Sequence, residues 1–448
     1  MSIKIKHFAL LIAFLATASV AFAQNTGTNS PYGRYGFGIL SNPAIGASEA
    51  MGGISYGLRR SQGVNPGNPA SYSSLDTLTF IFDFGVSVQQ ARMSDGINQR
   101  NFFNGNLDYV AIQFPLWRNM GASVGLLPFS RVGYNFGAVR PYEATQYSEI
   151  YRGTGGLSRV YAGAAWELFN NFSVGANVSF LFGSFTHTRT VTPLIPNALI
   201  SQSRDFYSIR ALRYDIGVQQ TIPLSTNRWL TFGAVYTPQI STTADLTPSR
   251  MQFMSDPFQH PWQLPVEVFP VDTLRDASFQ LPHKFGAGFT FNTNNLVVGL
   301  DGEMQLWDGL NYPDGLDQLT RDSRFNNTFR LATGIEYVRN PIGQHFRERI
   351  RVRGGLSFGN SYTNVRVYNP QTAQFLGTGS FREFGATLGV GLPFRDFMFM
   401  SARNTMINIG LSYTRKQPTR DFMIAQDMFM ISVNMNINEL WFRQHRFQ

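Results

Sequence analysis

Fourteen segments of the chain alternate apolar and polar residues with a period of two, the first near residue 77 and the last ending near 438. Such alternation builds strands with one apolar and one polar face. The first strand, near 77 to 92, sets Leu78, Phe80, Phe82, Phe84, Val86 and Val88 against Thr79, Asp83, Ser87 and Gln89. The ninth sets Leu296, Val298, Leu300 and Met304 against Asp301, Glu303 and Gln305, and the fourteenth sets Phe429, Ile431, Val433 and Met435 against Ser432, Asn434 and Asn436. An apolar face of this kind meets either a protein core or lipid, and periodicity alone does not choose.

Three further features choose lipid. Residues 1–23 have a basic start (Lys4, Lys6), an apolar run from Phe8 to Phe22 and the small-x-small triplet Ala21-Phe22-Ala23 before Gln24, the pattern of a cleavable secretory signal. No later run approaches the ~20 apolar residues of a spanning helix, so a membrane form of this chain is a barrel. The connections alternate in length: long ones near 93–105, 139–156, 189–204 and 245–277 fall between short ones at 118, 169–170, 223–226 and 293–294. Outer-membrane barrels have this asymmetry, with short turns on the periplasmic side. Aromatic residues make up 14% and charged residues only 15%, well below the ~25% charged of soluble domains. The fold class is therefore all-β: a transmembrane antiparallel β-barrel of about 14 strands with an N-terminal plug.

The division expected along the chain is a signal at 1–23, a lead and plug at 24–75, the barrel at 76–438 and a periplasmic tail at 439–448. Without Lys4 and Lys6, 35 basic residues face 28 acidic ones, and only Lys284 and Lys416 remain as lysines. The arginines are scattered, not clustered along one face, which argues against a nucleic-acid partner. Cysteine is absent, so there is no disulfide, thiolate metal site or lipid-modified Cys. No cofactor is expected. The dispersed histidines lack metal spacing, and an enzyme is not expected; His283, near the outer rim, is the one candidate for a barrel hydrolase.

The plug reading rests on Gly46 to Ala70, whose glycines permit tight turns and close backbone approach, and which ends in Asn68-Pro69-Ala70 just ahead of the first strand. This placement resembles the long-chain fatty-acid transporter family of outer-membrane barrels, in which a small plug ends in an Asn-Pro-Ala signature. A second copy of the tripeptide stands at Asn42-Pro43-Ala44. Pro128-Phe129, inside the third strand (119–138), is similar to that family's Pro-Phe segment, and the resemblance implies a lateral opening of the wall there. Proline donates no ladder hydrogen bond, so it marks a bulge or break in pairing; a strand ending at Leu127 is the plainer alternative. Leu281-Pro282 and a ninth strand closing on Trp307 extend the likeness.

The resemblance implies passive uptake of a hydrophobic small molecule, a long-chain fatty acid or similar lipophile, first captured at the outer loops. The long connection 245–277 offers Phe253, Met254, Phe258 and Trp262 for that capture. Inward positions of strands nine to eleven carry Asp301, Glu303, Arg330, Glu336, Arg349, Arg351 and Arg353. They form either a structural network tying plug to wall or a polar path for a headgroup, and Arg59 and Arg60 are placed to engage Asp301 or Glu303. The partners expected are membrane lipids, the lipophile and an envelope protein. The competing function is a non-transporting barrel subunit of an outer-membrane assembly or secretion complex, with 24–45 and 439–448 as partner-binding additions.

Overall fold

The computed structural model describes residues 28–77, 79–96, 98–142, 145–312, 324–369, 374–394 and 405–440. The signal segment 1–23 and most of the expected tail lie outside the described residues. Fourteen antiparallel strands form one closed sheet. They are β1 Thr79–Ser94, β2 Gln99–Trp117, β3 Met120–Tyr142, β4 Thr145–Phe169, β5 Phe172–Pro193 and β6 Ile200–Ser225. β7 runs Arg228–Thr237 and, past Pro238, Ile240–Phe253; β8 runs Leu274–Leu281 and, past Pro282, His283–Thr293. β9 Leu296–Leu306, β10 Thr328–Val338, β11 Arg351–Asn360, β12 Phe381–Phe394, β13 Thr405–Pro418 and β14 Ala425–Leu440 complete the wall. β14 pairs with β1 from Thr79↔Leu440 to Ser94↔Ala425, so the last strand closes on the first.

The alternation works as the sequence implies. Val178, Phe180, Leu300, Leu331, Leu356, Leu388, Ile431 and Val433 point outward and are exposed, while Asp83, Ser87, Asn177, Asp301, Asn434 and Asn436 point inward and are buried. An exposed apolar outer face and a buried polar inner one is the arrangement of a barrel in lipid. The last strand continues two residues beyond the expected 438, because Glu439 and Leu440 still find partners in Phe80 and Thr79.

The outer connections differ from expectation. β4 has 25 residues and β6 has 26, far more than the ~9–11 that cross hydrocarbon. Segments read as loops at 93–105 and 139–156 are mostly strand, because pairing between β1 and β2 and between β3 and β4 continues past the membrane level. The connection after β7 carries a short strand, Glu267–Phe269, folded back on Arg250–Gln252. At the opposite rim, two-residue turns fall at 118–119, 170–171, 226–227 and 294–295.

Candidate functional site: the filled lumen and the β2–β3 seam

The chain ahead of β1 fills the interior. Three short 3-10 turns, Pro31–Arg34, Gly46–Met51 and Pro69–Ser74, are almost wholly buried. Pro69–Ser74 packs on β3 to β6, and Gly46–Met51 packs on β10 to β14, so the segment spans the lumen from wall to wall. Glycine on the wall makes room for it: a Cβ on Gly233 would stand 1.8 Å from the Tyr56 carbonyl oxygen.

Asn68 caps the third of these turns, its side-chain oxygen accepting from the Ala70 N–H at 3.1 Å while its amide donates to the Tyr56 carbonyl at 2.7 Å. Pro69 takes the first turn position, where a missing N–H costs nothing, and Ala70 is fully buried. The tripeptide is thus a helix start pinned to the plug segment at Tyr56. Asn42 and Ala44 form only a local turn, Ala44 N–H to Asn42 Oδ1 at 3.1 Å.

The inward charges tie plug to wall, but with other pairings than the sequence suggested. Arg59 meets Glu167 of β4 at 2.9 Å and also donates to Ser173 of β5. Arg60 meets Glu336 of β10 at 3.1 Å. Neither pairs with Asp301 or Glu303, which hold other partners. Asp301 accepts the Ser55 and Tyr56 N–H groups at 2.5 and 2.8 Å. Glu303 accepts the Tyr56 hydroxyl and pairs with Lys284 at 3.2 Å. Glu336 also holds Arg351 at 2.7 Å and Arg353 at 2.5 Å, and Arg330 donates to the Gly52 and Gly53 carbonyls. Arg349 sits in a short helical turn, Phe346–Arg349, ahead of β11 and not on the wall. Two consecutive plug arginines therefore grip walls six strands apart. A buried charge without its partner costs several kcal/mol, so these pairs fix the plug's position even where their net contribution to stability is small.

The wall itself parts at Pro128. β2 and β3 pair from Trp117↔Met120 to Val110↔Leu126 and then separate. Beyond that level residues 99–109 of β2 stay paired with β1, and 130–142 of β3 with β4, but not with each other. Both strands carry an extra residue there: Phe129 on β3, where the register shifts between Pro128 and Ser130, and Asp108 on β2, between Tyr109 and Leu107. β3 thus continues through Pro128 and does not end at Leu127. Proline supplies the unpaired position, and the bulges turn the two strands apart. Arg131 bridges the seam to Asp108 at 3.2 Å. From inside, Ile39 and Leu40 pair with Arg131 and Ser130 as a two-residue strand, and Asn29 donates to Asn104 at 2.9 Å.

Behind the seam lies an aromatic chamber, which the sequence did not reveal. Phe37, fully buried, stands against Phe279, Trp307 and Tyr312 with ring centroids 5.6, 5.9 and 5.2 Å away. Phe185, Tyr207, Phe325 and Tyr362 complete the cluster, and Phe129 and Leu40 border it. Hydroxyls of Tyr312 and Tyr362 donate to the Gly36 and Gly38 carbonyls at 2.6 and 2.7 Å. Gly38 has φ +85°, and a Cβ there would lie 2.6 Å from the Arg131 carbonyl oxygen. The one available signal was Gly36-Phe37-Gly38 itself, an aromatic residue between glycines. Beside the chamber a cavity of about 310 Å³ is lined by Arg159, Arg213, Lys284, Glu303, Arg330 and Lys416 among others.

The proposed capture residues do not form one surface. Phe253 ends β7 and is buried; Phe258 lies under the Arg152 guanidinium, 3.7 Å from ring centroid to Cζ; Met254 and Trp262 are 73% and 77% exposed. His283 accepts the Gln239 backbone N–H at 3.0 Å beside Tyr236, at the proline bend of β7 and β8, and has no serine partner among its hydrogen bonds. Among the described residues no three His, Cys, Asp or Glu side chains gather as a metal site.

A closed fourteen-stranded barrel with a lipid-facing apolar belt and an interior filled by its own N-terminal chain is a plugged transmembrane β-barrel of the outer-membrane type. The chain belongs to the BamG family, whose model matches residues 4–448. Its fold is similar to that of a Pseudomonas aeruginosa FadL homologue, at 13% identity and TM-score 0.56 over 90% of this chain and 98% of that one. It is similar also to the Pseudomonas putida toluene transporter TodX, at 14% identity and TM-score 0.53 over 90% and 100% of the two chains. The Ralstonia pickettii toluene transporter TbuX matches at 13% identity and TM-score 0.51 over 90% and 98%. No curated protein matches the sequence.

Proposed function

We propose that this barrel resides in the outer membrane, after removal of residues 1–23, and serves passive uptake of a hydrophobic small molecule, a long-chain fatty acid or similar lipophile. The observation that carries the reading is the juxtaposition of seam and chamber: Phe129, at the β3 bulge, borders the aromatic cluster around Phe37. Sideways release from such a chamber into lipid spares an apolar molecule the ~25 cal/mol per Å² of exposure to water. Two of the similar structures are those of toluene transporters, which fits an apolar cargo. Because Phe37 occupies the chamber, a ligand enters only as the lead 28–45 withdraws. Met254 and Trp262 are the exposed residues for first capture.

A second reading, a non-transporting barrel subunit of an envelope complex, is favoured by one observation. The plug is held on opposite walls at once, through Arg59–Glu167 and Arg60–Glu336, and a barrel so filled needs no passage. Extraction from the native membrane in mild detergent followed by native mass spectrometry tests the two. About one lipophile per barrel supports uptake; a stoichiometric protein companion on an empty barrel overturns it in favour of the subunit.

A further inference from the structure

Going beyond either reading, the outer rim of the barrel is electrically lopsided. On β13 the outward residues Ile407, Ile409, Leu411 and Tyr413 give way to Arg415; on β12 the run ends at Arg382 and on β1 at Arg92. From Ile407 to Arg415 the strand covers about the 9–11 residues that cross hydrocarbon, so these guanidinium groups stand at the lipid–water boundary. Register brings them together. Arg415 lies opposite Asp427 of β14, Asp427 lies opposite Arg92, and Arg415 lies opposite Phe384, one outward position below Arg382. Arg92 and Arg415 are thus two strand spacings, about 10 Å, apart at their backbones, well within the reach of two long side chains converging on one group.

Three guanidinium groups face a single outward carboxylate here. Asp427 is already engaged by the Tyr413 hydroxyl at 2.6 Å and by Arg415 at 3.8 Å. Arg92 holds only the neutral Gln99 amide, at 2.6 Å, and Arg382 makes no hydrogen bond or ion pair among the described residues. The neighbouring charges do not cancel the excess. Lys416 and Glu383 point inward and pair with each other at 3.0 Å, and Arg420 donates to the Thr378 and Leu376 carbonyls in the loop above. In register with Arg415 across β12, β11 and β10 the outward residues are Phe384, Phe358 and Leu331, without a permanent charge. Every outward cation of this patch is arginine, whose planar fork matches phosphate oxygens in pairs.

We infer that the face formed by β12, β13, β14 and β1 binds the phosphate headgroup of a membrane lipid through Arg92, Arg382 and Arg415. The acyl chains lie down the apolar strip below, along Phe384, Tyr413 and Phe429, each of which packs against another ring. The site is specific for a phosphate presented at the hydrocarbon boundary, because the three side chains project from the barrel just where apolar strip and water meet.

The test uses full-length protein, stripped of lipid in dodecyl maltoside and titrated with dioleoyl phosphatidic acid. Dioleoylglycerol serves as the same tails without phosphate, and inorganic phosphate as the headgroup without tails. Phosphatidic acid is expected to bind at least tenfold tighter than dioleoylglycerol, and Arg92→Gln/Arg382→Gln/Arg415→Gln to remove that preference. Arg210→Gln, at an outward arginine on β6, is expected to keep it. Folding of each variant is checked by heat-dependent gel mobility. A preference that survives in the folded triple variant overturns the assignment, as does inorganic phosphate binding as tightly as phosphatidic acid.

Discussion

Phe37→Ala removes the side chain on which the seating of the lead depends. Phe37 is fully buried against Phe279, Trp307 and Tyr312, and truncating a buried Phe costs about 3–5 kcal/mol in lost transfer energy and cavity. Apart from the β2–β3 seam the wall is tied to itself by strand ladders, so little of this loss falls on the barrel; it falls on the lead, whose remaining holds include two tyrosine hydrogen bonds and a two-residue pairing with β3. At 1.4 kcal/mol per factor of ten, opening of the lead becomes roughly two to three and a half orders of magnitude more frequent. Hydrogen exchange read by mass spectrometry on peptides spanning residues 31–41 measures that change directly, with peptides of β9 and β10 as the internal reference. Exchange of 31–41 within threefold of wild type, in a folded barrel, would refute the argument that Phe37 holds the lead in its chamber. Equal acceleration in β9 and β10 would refute the claim that lead and wall are separately held.

Glu336→Gln leaves Arg60, Arg351 and Arg353 around a neutral side chain, and about 3–5 kcal/mol is expected to be lost; the gel-shift midpoint on heating should fall clearly. Glu383→Gln, which breaks the half-exposed pair with Lys416, should shift it little, as exposed pairs contribute about 0–1 kcal/mol. The plug carboxyl Glu49 is pushed up to about 7, mainly by burial and further by the Asp108 charge. Its seated form therefore holds a proton that the released form, near 4.5, gives up. Seating is strongest below the released form's value, weakens as pH rises toward 7 and is then flat. Exchange of residues 46–54, corrected for intrinsic rate, should show this fall between pH 4.5 and 7 and lose it in Glu49→Gln; a wild-type profile without the fall removes the burial argument.

Much of the architecture was legible because a barrel in lipid repeats one local rule. Each strand presents alternate residues to lipid and lumen, so Val298, Leu300 and Asp301 announce their faces without reference to any other strand. Pro128 was legible for a similar local reason: a residue that cannot donate to a ladder marks a fault in pairing wherever it lies. Strand length was not. Whether 99–105 and 139–156 pair or loop depends on the neighbouring strand, and the projecting sheet of β3 to β7 exists because each of its members finds a partner beyond the membrane.

The partners of the charges were illegible in the same way. Strand alternation and the plug reading placed Arg59, Arg60, Asp301, Glu303 and Glu336 in the lumen, but which faces which follows from how the plug threads the barrel. Tyr56 backs onto Gly233 and reaches Glu303, and this turns Arg59 toward β4 and Arg60 toward β10. By itself the sequence determined an apolar belt, a polar interior, an N-terminal segment able to pack inside and a flaw in β3. Only the tertiary structure decided that Phe37 fills the chamber behind that flaw and that Arg92, Arg382 and Arg415 share one patch. Period and propensity are properties of neighbours along the chain, whereas a filled chamber and a charged patch are properties of residues hundreds of positions apart, joined by the closure of β14 on β1.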